Sequence, residues 1–148
     1  MRVVVQKVKE SSVTINDKIV GKIEKGYTLL VGFTDGDNKS IIDRMVKKII
    51  NLRIFEDDND KMNLDLKTVE GSILSISQFT LYAKLDGRRP SFSDAMKYDE
   101  ASKMYDYFNE KLKEENVKVE TGIFGEDMKV SIINDGPTTI IMDSEDIL

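Results

Sequence analysis

The chain has 148 residues, 40% apolar and 33% charged, with 27 acidic residues against 22 basic ones and a formal net charge of −5. This balance suits one globular domain over residues 1–148 with a substantial core, and it argues against tight non-specific binding to long nucleic acid, DNA included, which requires many neutralised phosphates. There is no histidine and no cysteine, which excludes Ser-His-Asp and Cys-His catalysis within the chain and zinc sites of the usual kind.

Residues 2–9 alternate loosely and are rich in valine, so they read as a strand. Residues 12–15 and 19–23 form an expected hairpin around Asn16-Asp17-Lys18. The nearly continuous apolar run 27–33 predicts a buried strand. Residues 38–50 place Ile41, Ile42, Met45, Val46, Ile49 and Ile50 on one helical face, with Asn38 as the N-cap. Residues 52–55 read as a short strand entering the acidic turn Glu56-Asp57-Asp58-Asn59-Asp60. That turn lacks the glycine and distal glutamate of an EF-hand loop, so it reads as a solvent-facing turn. Residues 72–77 predict a strand that runs on through 78–83, followed by a loop containing Gly87-Arg88-Arg89-Pro90. Residues 99–115 repeat apolar positions at helical spacing. Strands over 117–124, 128–133 and 139–143 close the chain. Neither a membrane-length apolar run nor a signal-peptide pattern is found, so the expected location is cytoplasmic, with no membrane partner. Seven or eight strands with two separated helices predict an α/β fold of the α+β kind. The expected form is a three-layer β/β/α sandwich, two stacked sheets with two helices on one side.

Three segments could carry chemistry. Asn134-Asp135-Gly136-Pro137-Thr138-Thr139 lies between two predicted strands. Read alone, it is ordinary hairpin-turn chemistry; alternatively, the Gly-Pro pair is a corner of bare backbone that another molecule can approach closely. Ser77-Gln78-Phe79-Thr80 sits where a buried strand ends. Without an imidazole, a Ser or Thr hydroxyl there is a poor nucleophile, whereas backbone N–H groups aimed at a carbonyl oxygen would act as an oxyanion hole. Alternatively, it is a strand end whose hydroxyls satisfy local backbone. Arg88 and Arg89 could fork onto phosphate, or simply line a solvated loop.

These segments occur together and in order. With Arg2-Val3-Val4-Val5-Gln6, Leu52-Arg53-Ile54-Phe55-Glu56 and Lys61-Met62-Asn63-Leu64 upstream, the chain resembles the D-aminoacyl-tRNA deacylases of the bacterial and eukaryotic type over residues 1–144. The resemblance implies a homodimer without metal or cofactor. It would hydrolyse the ester joining a D-amino acid, or misplaced glycine, to the 3′-terminal adenosine of tRNA. It implies that Ser77, Gln78, Phe79 and Thr80 line the pocket. It further implies that a cis Gly136-Pro137 bond enters the partner subunit's site and excludes L-amino acids, with Asn134 and Thr139 alongside. Lys7 stands where such enzymes usually have an arginine thought to hold the Gly-Pro backbone, and lysine cannot make the same forked contact. Arg88 and Arg89 are expected to touch terminal phosphates, or else to build the dimer or brace the pocket. The alternative reading is a non-catalytic RNA-binding module of the same fold.

Overall fold

A computed structural model describes all residues, Met1–Leu148. Its spine is β1 (Arg2–Ile15). The first half of β1 pairs antiparallel with β3 (Gly26–Gly32), and its last residues pair antiparallel with β2 (Lys18–Ile23). Along the other edge of β1 runs β8 (Lys129–Asp143), antiparallel over nearly its full length. Beyond β3 lie β6 (Ser72–Ser77) and β7 (Val119–Thr121), both in parallel pairing. A small separate hairpin joins β4 (Phe55–Glu56) to β5 (Met62–Leu64).

The two strands expected over 2–9 and 12–15 are thus one. What looked like a break is a bend. Pairing with β8 slips between Gln6 and Val8 and again between Val8 and Glu10, and such irregularities bend and twist a strand. The bend folds the far half of β1, with β2, back over β6 and β7. Val8, Val13, Ile23, Leu74 and Ile76 are buried between these layers. The layers touch most closely at Gly21, where a Cβ would lie 2.8 Å from the Thr121 carbonyl oxygen and 3.2 Å from Leu74 Cδ1.

The larger core lies on the opposite face. Val3, Val5, Leu29, Val31 and Ile73 pack there against α1 (Lys39–Ile50) and α2 (Tyr98–Glu114), which present Ile42, Met45, Ile49, Tyr105, Phe108 and Leu112. Each such side chain, fully buried, contributes about 1.5–3 kcal/mol from removed apolar surface. The three-layer β/β/α arrangement expected from the sequence is the one observed.

Local chemistry explains the element ends. Asn38 caps α1, its side chain accepting from Ile41 N at 3.0 Å. Asn16 and Asp17 both have positive φ, 49° and 64°, so the hairpin turns on these two residues and Lys18 already pairs with Ile15. The acidic turn is self-contained. Asp57 accepts from Lys61 N, Asn59 N and the Asn63 amide, and those bonds hold its carboxyl below the usual carboxylate range. The strand expected over 52–55 shrinks to β4, and that over 117–124 to β7. Residues 78–83 are not a strand. The strands expected over 128–133 and 139–143 are both parts of β8, and a four-residue helix, α3 (Ser144–Ile147), follows, capped by Asp143. No helix is long and apolar enough to cross a membrane.

Candidate active site

β3 and β6 run parallel, and a cleft of about 390 Å³ opens beyond their C-terminal ends, the usual place for ligands in parallel sheets. Its walls are mostly apolar, formed by Val31, Phe33, Met96, Tyr98, Ala101 and Phe124. Ser77, Gln78 and Phe79 form its polar margin.

At that margin the chain changes conformation. β6 stops at Ser77, Gln78 turns out of the strand, and Phe79–Tyr82 form one 3-10 turn. Gln78 N donates to Val31 O at 2.7 Å, which ties the turn to β3. The turn can sit this close because residue 32 is glycine; a Cβ there would lie 2.9 Å from the Gln78 carbonyl oxygen. The first bond of the turn runs from Leu81 N to Gln78 O, 3.2 Å. The N–H groups of Phe79 and Thr80 therefore precede it and have no partner within the turn, and no side chain caps them from Gln78. Instead Gln78 Nε2 donates to Thr80 Oγ1 at 2.5 Å. A carboxamide does not take up a proton at neutral pH, so nothing bonded to Thr80 can activate its hydroxyl as a nucleophile.

Phe79 is 55% exposed, and its ring meets Phe92 edge-on, with centroids 5.0 Å apart. Phe92 follows a loop closed by paired backbone bonds between Lys84 and Ser91. Arg88 and Arg89 lie exposed in that loop, and neither is in an ion pair. On the far wall Tyr98 stands edge-on to Phe124, 5.0 Å between centroids. Gly125 makes room for it: φ is +82° and a Cβ would overlap the phenol.

The Gly136–Pro137 bond is cis. The segment is not a hairpin turn. Thr139 pairs with Gln6 and Asn134 with Val8, so β8 continues along β1 while residues 135–138 loop out opposite Lys7. Asn134 staples the loop, its Nδ2 donating to the carbonyls of Lys7 and Thr138, both at 2.9 Å. Thr139 Oγ1 adds a longer bond to Asn134 Oδ1, 3.4 Å. Gly136 has φ +118°, and a Cβ would lie 2.6 Å from Thr138 Oγ1. Gly136 and Pro137 are exposed and lie outside the cleft of their own chain. The Lys7 side chain makes no hydrogen bond to this corner. It is 6% exposed, with its ammonium 5.7 Å from the Phe55 ring centroid, and the corner is held through the Lys7 backbone carbonyl.

The structure thus gathers Ser77, Gln78 and Phe79 at one cleft, with Thr80 beside them, and sets Asn134, Gly136, Pro137 and Thr139 together elsewhere. Sequence reasoning missed Gly32, Met96, Tyr98, Phe124 and Gly125. Only the glycines left a signal, as small residues at the ends of apolar runs. It also missed Arg2, whose guanidinium reaches the back of the 3-10 turn.

Three comparisons bear on this arrangement. The family described as D-Tyr-tRNA(Tyr) deacylase matches residues 4–143. Proteins named D-aminoacyl-tRNA deacylase from Bacillus cereus (strain AH187) and Bacillus thuringiensis (strain Al Hakam) are each 53% identical over 146 residues, covering 98% of this chain and all of theirs. Among solved structures, one titled c-Myc DNA Unwinding Element Binding Protein superposes with a TM-score of 0.91 at 37% identity, covering 97% of this chain and 98% of that one. Another, titled as a probable eukaryotic D-amino acid tRNA deacylase, shares the fold with a TM-score of 0.81 at 21% identity, over 95% and 97% of the two chains.

Proposed function

The chain belongs to the D-Tyr-tRNA(Tyr) deacylase family and is an ester hydrolase of the D-aminoacyl-tRNA deacylase kind, and from that premise we propose how its residues divide the work. The cleft takes the 3′-terminal adenosine, whose flat base suits apolar and aromatic walls. The ester carbonyl then faces the free N–H groups of Phe79 and Thr80, which stabilise the charge that develops on its oxygen. One such donor is worth about 3 kcal/mol in other enzymes. The unpartnered pair of amides beside a cleft with no general base is the observation that carries this reading.

Water is activated by the substrate's own 2′-hydroxyl, next to the ester, rather than by Thr80. An aminoacyl ester is reactive enough for this, so a missing histidine is no obstacle. The looped-out Gly136-Pro137 corner enters the cleft of a second copy and presents a backbone wall that collides with an L side chain. Two features support the second copy: the corner is exposed and lies outside its own cleft, and β8 is an open edge strand exposing Ile133 and Ile141. Rejecting L-esters a thousandfold needs about 4 kcal/mol of transition-state difference, which steric exclusion by fixed backbone can supply. Selection by exclusion admits many D side chains, and glycine as well. Arg88 and Arg89 meet phosphates of the acceptor end.

The test is to incubate the protein with D-Tyr-tRNA, L-Tyr-tRNA and Gly-tRNA, with and without EDTA. The expected result is rapid loss of the D and glycyl esters, survival of the L ester, no effect of EDTA, and slow hydrolysis when the terminal adenosine lacks its 2′-hydroxyl. Capture of an acyl-Thr80 species would overturn the substrate-assisted route. Loss of no ester, with RNA still bound, would favour a binding module instead.

A further inference from the structure

We propose that Arg2 is a positioning residue for the hydrolysis, holding the 3-10 turn so that the Phe79 and Thr80 amides face the substrate. The inference rests on the functional reading above and concerns a side chain outside the cleft.

Arg2 makes three contacts at once. Its Nε donates to Asp143 Oδ2 at 2.8 Å, its Nη1 donates to the Leu81 carbonyl at 2.8 Å, and its guanidinium lies 4.4 Å from the centroid of the Tyr82 ring. Leu81 and Tyr82 are the last two residues of the turn whose first two carry the free amides. The front of the turn is already fixed to β3 by the bond from Gln78 N and by the close approach over Gly32. Arg2 fixes the rear. A cation on the terminal carbonyl of a helical turn also favours alignment of its peptide dipoles. The planar fork serves two acceptors and a ring face together, which an ammonium cannot do.

A purely stabilising role fits the geometry less well. The Arg2 side chain is 39% exposed, and ion pairs of such exposure add little to stability. The contacts also join two functional elements, since Asp143 terminates the strand that carries Gly136 and Pro137. Arg2, Leu81 and Tyr82 are not among the cleft-lining residues, so substrate affinity should not depend on them.

The experiment compares wild type, Arg2→Lys, Arg2→Met, Asp143→Asn and the remote control Lys67→Met. Initial rates on D-Tyr-tRNA are read with the amide resonances of Phe79 and Thr80 and the melting temperature. Arg2→Met is expected to lower kcat between about 10- and 100-fold while KM changes less than about twofold, the mark of an interaction made in the transition state. Arg2→Lys should fall between it and wild type, the Phe79 and Thr80 amide resonances should shift in both Arg2 variants, and Lys67→Met should match wild type. A kcat unchanged in Arg2→Lys and Arg2→Met, or lowered only as far as the folded fraction falls, overturns the proposal. An inactive wild type would instead overturn the functional reading. The resonances then decide alone: unmoved Phe79 and Thr80 amides in Arg2→Lys overturn the positioning role.

Discussion

Single residues at this site act mainly through backbone they permit or hold. Gly136 occupies φ +118° with Thr138 Oγ1 in the space of a Cβ. An L residue with this φ costs about 1–3 kcal/mol, so Gly136→Ala should lower stability by that amount in denaturant titrations and should raise hydrolysis of L-Tyr-tRNA relative to D-Tyr-tRNA. Asn134 holds the same corner through two bonds. Asn134→Ala is expected to cost about 1–2 kcal/mol and to erode chiral discrimination before it erodes D-ester turnover, measured on the paired substrates. Asp143 gives the folding stability a pH dependence. Burial pushes its carboxyl up, but the bond and charge from Arg2 and the bond from Glu145 N outweigh burial and leave it below the ordinary value. A depressed folded-state value means that the stabilisation is complete above the unfolded pKa, about 3.9, and is lost as pH falls through the folded one. Denaturant titrations at falling pH should therefore show a shallower loss of stability in Asp143→Asn than in wild type below about pH 4.

At the scale of elements, agreement with the sequence depended on how local the controlling chemistry is. α1 was legible with its cap, because Asn38 and the apolar spacing act within a few residues. Asn38→Ala should lower the unfolding free energy by about 1 kcal/mol, seen as a reduced denaturant midpoint. The start of β6 is legible too, but its end is not. Residues 78–83 have strand-like composition, and the turn at Phe79–Tyr82 forms because Gly32 lets it dock and Arg2 holds its rear carbonyl, both far away in sequence. From sequence β1 reads as two strands because a bend and a break interrupt alternation alike. The segment at Asn134 was ambiguous for the same reason. Turn chemistry marks a departure from the strand but does not say whether the chain reverses, and here it continues along the same partner.

At the scale of the molecule, Gly136 and Pro137 are exposed and lie outside the cleft of their own chain. Ile141 is 74% exposed on the open edge of β8, the edge proposed above to receive a second copy. On the proposed dimer, Ile141→Lys should lower the mass measured by light scattering to that of one chain and raise hydrolysis of L-Tyr-tRNA relative to D-Tyr-tRNA. By itself, the sequence determined the fold class, the helix faces, the absence of imidazole and thiol chemistry, and which segments were worth inspecting. These follow from composition, periodicity and ordered motifs, which are local or cumulative properties of a chain. Tertiary structure alone decided that Phe79 and Thr80 begin a turn with free amides and that Gly136-Pro137 projects from a continuous strand. It also decided that the Lys7 ammonium lies against Phe55 and that Arg2 bridges β8 to the turn. Each of these depends on partners separated by tens of residues, and backbone N–H groups, present at nearly every residue, become a site only when folding leaves two of them unpaired beside a cleft.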